Sequence, residues 1–326
     1  MKTVFWETTK LCNMNCRHCS NESGFQSKEE LSSQEIISLC SQFIDIGLKD
    51  FRFYGGEPFL RKDIAEIVQF LSTQNIQTTF YTNGTILDED VIALLKSAVN
   101  PRIAVSLDGA LPKTHNEIRG LDSFNVVLHN ITLLISMRYR VDIIFTVSKK
   151  NYKEIDEVFR LGKNLGVSSI KPNVVSKLGR ARTFWNEFAL SPKQLAKVAE
   201  TVFNGNLRYF GKKGIRKPCV AGIEEIYISS SGDVFPCPLL LDQKFCAGNI
   251  RNASISEILL NPSPSFSQIV TSIQNKEFCA MCTHKVICQG GCRARAISDQ
   301  DNIYGKDAFS CLYYSFVCKS DTGEAE

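Results

Sequence analysis

The sequence predicts an α/β chain: a partial (β/α)6 TIM-like barrel followed by a small, irregular, cysteine-rich domain. Three observations predict it. Between residues 3 and 175, short β-branched and aromatic runs alternate with longer segments of helical period. The strand-like runs stop at six. Nine of the 13 cysteines crowd between Cys219 and Cys318.

The strands are expected at Val4–Thr8, Phe51–Tyr54, Thr78–Thr82, Ile103–Leu107, Asp142–Val147 and Val167–Val174, where β-branched and aromatic residues cluster between turn formers. Helices are expected between them, over Ser33–Ile46, Asp63–Thr73, Glu89–Ala98, Ser123–Met137 and Tyr152–Leu165. In the second, Ile64, Ile67, Val68 and Leu71 form one apolar face. Ser32 and Glu35 make a capping box that opens the first. Strands alternating with helices imply right-handed βα units and a parallel sheet. Six strands fall short of the eight of a closed barrel, so the barrel is incomplete; a doubly wound sheet is the competing arrangement.

The pattern breaks at a basic, glycine-containing stretch with Lys212, Lys213, Arg216 and Lys217. It divides the chain into a core domain at 1–204, a bridge at 205–218 and a second domain at 219–326. That domain opens with a hairpin, Glu225–Ser229 then Val234–Phe235, across Ser-Ser-Gly-Asp. The basic stretch reads as a solvated loop rather than a docking site for an acidic peptide.

Composition narrows the function classes. With 44% hydrophobic and 22% charged residues the 326-residue chain is rich enough in apolar side chains to fold. A formal charge of +4 is too mild to indicate nucleic acid or a membrane surface as partner. No apolar run approaches a membrane span, and Met1 to Lys10 lacks the features of a signal peptide, so a cytoplasmic location is expected. In a reducing compartment clustered cysteines are metal ligands more often than disulfides, which points to an iron–sulfur protein.

Cys12-Asn-Met-Asn-Cys16-Arg-His-Cys19 follows the first strand. Three thiolates in eight residues converge on one compact centre. A 4Fe–4S cubane has four iron corners, so three ligands leave one iron open to chelate the amino and carboxylate groups of a small molecule. Structural zinc prefers four protein ligands, and only His18 stands nearby as a fourth, which makes zinc the weaker reading. Farther on, Cys279-x2-Cys282-x5-Cys288-x3-Cys292 is a second metal-ligand spacing, with Cys219 and Gly232-x4-Cys237 before it and Cys311 after it. A zinc-ribbon-like element is the competing reading there.

The Cys12/Cys16/Cys19 loop after the first strand of a partial barrel resembles the radical S-adenosylmethionine (radical SAM) superfamily. Gly55-Gly56-Glu57-Pro58 matches the family's GGEP motif, and Ser106-Leu107-Asp108-Gly109 is similar to its SxDG segment. Thr82-Asn83-Gly84, His115 to Arg119-Gly120, and Gly179-Arg180-Ala181 look like segments that flank the cofactor. The C-terminal cysteines resemble the seven-cysteine SPASM pattern. The resemblance implies S-adenosylmethionine held on the Cys12/Cys16/Cys19 cluster, with Gly55, Gly56, Glu57, Pro58, Asn83, Ser106, Asp108 and Arg119 around it and Glu57 on its ammonium. It also implies two auxiliary 4Fe–4S clusters. Cys279, Cys282, Cys288 and Cys311 would hold the outer one, and Cys219, Cys237 and Cys292 the inner one. Some relatives supply a fourth inner ligand where this chain has Lys213, so the inner cluster has an open iron or is completed by Cys246. Cys40 and Cys318 read as structural.

The implied activity is reductive cleavage of S-adenosylmethionine to a 5′-deoxyadenosyl radical, which takes a hydrogen atom from substrate. Relatives mostly modify ribosomally made peptides by crosslinking, epimerisation or oxidation. Formylglycine-forming relatives carry an Asp where this chain has Pro238, which counts against that reaction. Small-molecule alternatives are a haem-precursor decarboxylase and an aminocyclitol dehydrogenase or epimerase; a non-catalytic iron–sulfur electron carrier is the alternative of another class. Expected partners are a peptide or small-molecule substrate, an electron donor such as flavodoxin or ferredoxin, and a separate leader-peptide docking protein, since no peptide-recognition domain precedes the first strand.

Overall fold

The computed structural model describes residues 1–25, 27–120, 122–204, 218–275 and 279–321. Lys212, Lys213, Arg216, Lys217 and the side chain of Cys318 lie outside the described residues.

Six parallel strands, β1 (Thr3–Thr9), β2 (Asp50–Gly55), β3 (Gln77–Thr82), β4 (Arg102–Ser106), β5 (Arg140–Val147) and β6 (Ser169–Val174), alternate with α1 (Ser33–Asp45), α2 (Ile64–Thr73), α3 (Glu89–Ser97), α4 (Pro112–Arg119), α5 (Phe124–Ser136) and α6 (Ile155–Leu165). Each strand was legible from its apolar run, within two residues at either end. The Ser32/Glu35 capping box is formed, with both reciprocal bonds present. α4 was not anticipated as a helix, although it carries two helix signals, Pro112 at its start and a left-handed Gly120 as its C-cap.

Alternation along β1 explains the layering. Val4 and Trp6 are fully buried in the core shared with the helices, whereas Phe5 points to the opposite face, against Tyr54 and Tyr81. The interior face begins, at the N-terminal ends of the strands, with a floor of ion pairs. Arg52 Nε stands 2.6 Å from Asp50, and Asp142 takes Arg102 at 2.7 Å and Lys171 at 2.9 Å.

The sheet does not end at β1. The anticipated hairpin, β7 (Glu225–Ile228) and β8 (Asp233–Phe235), joins it, with β7 parallel to β1 from Thr3↔Glu225 to Trp6↔Ile228. With β9 (Gly248–Asn249) the order is β6-β5-β4-β3-β2-β1-β7-β8-β9, an open nine-stranded sheet. The cysteine-rich segment therefore begins as an extension of the barrel sheet. This pairing uses the edge that six strands would leave bare on β1.

After β9 the chain is helical and returns to the barrel. Helix Ala308–Asp321 packs on helix Pro192–Asn204, where Phe203 and Phe316 stack at 6.3 Å. Arg251 pins the hairpin region to α1 through Glu35, with Nε 2.6 Å from Oε1 and Nη2 3.1 Å from Oε2. Among the described residues no helix is long and apolar enough to cross a membrane.

Candidate active site

The loop Leu11–Ser20 leaves the C-terminal end of β1 and is clamped from both sides. On one side the amides of Gly56 and Glu57 donate to Thr9 O and Leu11 O, each at 2.8 Å. On the other, Arg180 donates from its amide to Cys19 O at 3.0 Å and from its side chain to Cys16 O at 2.9 Å and Ser23 O at 2.6 Å. Both clamps require glycine. A Cβ on Gly56 would stand 2.1 Å from Leu11 O, and one on Gly179, which has φ +50°, would stand 2.4 Å from Cys19 O.

The clamped loop presents Cys12, Cys16 and Cys19 to a cavity of about 500 Å3. Cys219, Cys237 and Cys292 line the same cavity, and Gly55, Gly56, Asn83, Ser106 and Arg119 form part of its wall. Glu57, Pro58 and Asp108 stand behind that wall. Cys279, Cys282, Cys288 and Cys311 meet around a separate, small cavity of about 60 Å3. Among the described residues no three His, Cys, Asp or Glu side chains converge tightly enough for a single metal ion. The thiols ring a volume instead. The other two cysteines with described side chains line neither cavity. Cys40 is fully buried in the core, and Cys246 Sγ donates to Gly248 O at 3.3 Å, off the cavity wall.

The donor set suits an iron–sulfur cluster. Burial pushes the Cys12 thiol up to about 11, and it raises Cys16 and Cys237 as well. Desolvated thiols of this kind are costly as free thiolates and gain most from a multivalent cationic centre. Polar N–H groups already face the sulfurs: Asn83 Nδ2 lies 3.9 Å from Cys12 Sγ, and Arg119 Nη1 lies 4.0 Å from Cys16 Sγ. Such donors around cluster sulfurs tune the centre.

A second layer holds the wall. Asp108, fully buried, accepts from Arg119 Nε at 2.7 Å, from the Thr146 amide at 2.7 Å, and lies 3.2 Å from His18 Nε2. Burial alone would raise the Asp108 carboxyl, but the Arg119 and His18 charges and these hydrogen bonds hold it well below the usual carboxylate range. His115 accepts the Asp108 amide at 3.2 Å, and burial and the nearby Arg119 push its pKa down to about 4, so it stays neutral. Glu57 is fully buried and accepts from Thr82 Oγ1 and the Asn83 amide, each at 2.8 Å. Burial nevertheless pushes its carboxyl up to about 7. In this arrangement Glu57 ties β2 to the end of β3.

Among the cavity-wall residues that sequence reasoning did not assign to the cosubstrate or cluster sites are His18, weighed only as a zinc ligand, Tyr54 and Glu225. His18 Nδ1 is buried with no hydrogen-bond partner among the described residues. Only its place inside the cysteine motif could have flagged it. Tyr54 was read as the last residue of a strand, and Glu225 as the first of a hairpin.

Comparisons with known proteins agree with this layout. The family model of the radical SAM superfamily matches residues 6–162, and that of the SPASM iron–sulfur cluster-binding domain matches residues 219–283. The chain is 30% identical to an AdoMet-dependent heme synthase of Methanosarcina barkeri, over 96% of each chain. It is 29% identical to the mycofactocin maturase MftC of Mycolicibacterium smegmatis, over 89% of this chain and 77% of the relative. Its fold superposes on the solved structure of native anSMEcpe with bound AdoMet at a TM-score of 0.79, with 20% identity, covering 99% of this chain and 97% of that one.

Proposed function

This chain is an enzyme that belongs to the radical SAM superfamily and carries a SPASM iron–sulfur cluster-binding domain, and from that premise we propose that it modifies a ribosomally made peptide after taking a hydrogen atom from it. One observation carries this reading: a single cavity is lined both by Cys12, Cys16 and Cys19 and by Cys219, Cys237 and Cys292. A substrate lodged there shares one cavity with both cysteine sets.

Cys12, Cys16 and Cys19 would hold a 4Fe–4S cluster with one iron left for S-adenosylmethionine. When bound, this pair supplies one-electron cleavage of the sulfonium to methionine and a 5′-deoxyadenosyl radical. The chain positions the reactants and excludes water. Gly55 and Gly56 let the backbone of the β2 end approach the cosubstrate, and Asn83, Ser106 and Arg119 provide polar wall groups beside it. Cys219, Cys237 and Cys292 would hold an inner auxiliary cluster, and Cys279, Cys282, Cys288 and Cys311 an outer one. A flavodoxin- or ferredoxin-type donor would deliver the electron.

The peptide reading draws support from the maturase relative and from the cavity itself. Its volume must be shared with S-adenosylmethionine, and what remains suits a side chain of a longer substrate. A second reading, decarboxylation of a haem precursor, is favoured by the heme synthase relative, which aligns over 96% of both chains.

Anaerobic reconstitution followed by iron and sulfide counting, then dithionite and S-adenosylmethionine, tests the core claim. About twelve irons per chain with 5′-deoxyadenosine release are expected. Iron-loaded protein that never releases 5′-deoxyadenosine would sink it. Mass spectrometry then separates the readings. A peptide shifted in mass supports the first, and loss of carbon dioxide from an added haem precursor replaces it with the second.

A further inference from the structure

We propose that Glu225 is the fourth, carboxylate ligand of the inner iron–sulfur centre, completing the set Cys219, Cys237 and Cys292. The inference rests on those three cysteines sharing one cluster, as proposed above. A cubane has four irons, so three thiolates leave one corner to another donor.

The backbone brings Glu225 to that corner. The amides of Ile223, Glu224 and Glu225 all turn back onto Val220 O, at 2.9, 3.0 and 3.2 Å, so Glu225 sits beside the residue that follows Cys219. The amide of Gly222 donates to both Glu225 O at 2.7 Å and Pro236 O at 3.0 Å, which stitches the same turn to the residue before Cys237. Cys219, Glu225 and Cys237 are thus neighbours by main-chain hydrogen bonding. Cys292 lies with Cys219 and Cys237 in one apolar cluster.

The side chain is available. Glu225 is the only carboxylate among the described residues that line the main cavity, and it shares that wall with all three thiols. Among the described residues its carboxylate accepts no hydrogen bond, and its one ion-pair partner, Arg52 Nη1, is distant at 3.8 Å. Arg52 is instead engaged through Nε by Asp50 at 2.6 Å. A bare carboxylate in this setting is costly, and coordination to a Lewis-acidic iron offsets that cost.

The competing donor is otherwise engaged. Cys246 packs against the same apolar cluster as the three thiols, but it is not on the cavity wall and its Sγ donates to Gly248 O at 3.3 Å. The bridge at 205–218 contains no cysteine.

The test uses the full chain with Cys12, Cys16 and Cys19 replaced by alanine, so that only auxiliary centres load. Iron content and electron paramagnetic resonance spectra are compared for this parent, Glu225→Gln and Glu225→Cys. Glu225→Gln is expected to lose about one iron per chain and to show an oxidised three-iron signal. Glu225→Cys is expected to keep the parent's iron count with a changed, all-thiolate spectrum. Glu225→Gln with unchanged iron and spectrum overturns the assignment. If Glu225→Gln does not fold, Glu225→Cys decides alone: a spectrum identical to the parent's overturns it, and a changed spectrum at full iron supports it. The 5′-deoxyadenosine assay on the unsubstituted chain reports separately on the proposed function.

Discussion

Arg119 Nε lies 2.7 Å from Asp108 Oδ2 while Nη1 of the same guanidinium lies 4.0 Å from Cys16 Sγ, so one buried cation joins the end of β4 to the cysteine loop. Removing one partner of such a pair strands the other. Asp108→Asn is expected to lower the unfolding free energy by about 3–5 kcal/mol, read from urea denaturation. The double variant Asp108→Asn with Arg119→Met should cost less than the sum of the singles. Strict additivity would mean that the two charges do not depend on each other.

Glu57 should make the cluster-free chain less stable as pH rises. Its folded pKa, about 7, lies above the unfolded value near 4.3, so the folded state binds the extra proton between them. Stability from this group is full below pH 4, falls through the interval and levels off above pH 7. The total is on the order of 3 kcal/mol. Urea midpoints at pH 5 and 8 should differ in that direction, and Glu57→Gln should flatten the difference. A parent profile as flat as the variant's would refute the assignment.

Gly56→Ala should displace the cysteine loop, because its Cβ would meet Leu11 O at 2.1 Å. The expected result is loss of the N-terminal cluster, about four irons per chain, with the C-terminal irons retained. Gly120→Ala is the control. It has a positive φ but only Asn15 O within reach, at 3.9 Å, and should cost about 1 kcal/mol while keeping its iron.

Cys246→Ser should retain the full complement of iron and sulfide, since its thiol bonds Gly248 O. Cys237→Ser should lose the inner centre and leave the outer one. Equal losses in both variants would restore Cys246 as a ligand.

The Arg251–Glu35 pair should hold the hairpin region to α1 over most of the pH range. Arg251 depresses the Glu35 carboxyl to about 2, so the pair's contribution is present above the unfolded value near 4.3 and is lost as pH falls through about 2. The groups are partly exposed and screened, so Arg251→Ala should cost no more than about 1 kcal/mol, and less in high salt.

Much of the site was legible because its parts are local. Cys12, Cys16 and Cys19 fall within one loop, and Gly55-Gly56 and Asn83 sit where strand patterns end. The α2 apolar stripe was legible for the same reason, since Ile64, Ile67, Val68 and Leu71 recur at helical spacing and need no partner to be seen. The burial of Glu57 behind the wall was not legible, because the motif shows its position but not the Thr82 and Asn83 donors that turn it away.

The sequence by itself determined the six parallel strands and most of the helices between them, since hydrophobic period and caps are set by residues a few positions apart. Only the tertiary structure decided that β7 pairs with β1, which joins Thr3 to Glu225 across a separation that carries no local pattern. That pairing places Cys219 and Cys237 on the same cavity as Cys12, Cys16 and Cys19. It also sets Glu225 beside the inner thiols, because parallel strands bring residues together by register, and register depends on which faces are buried together.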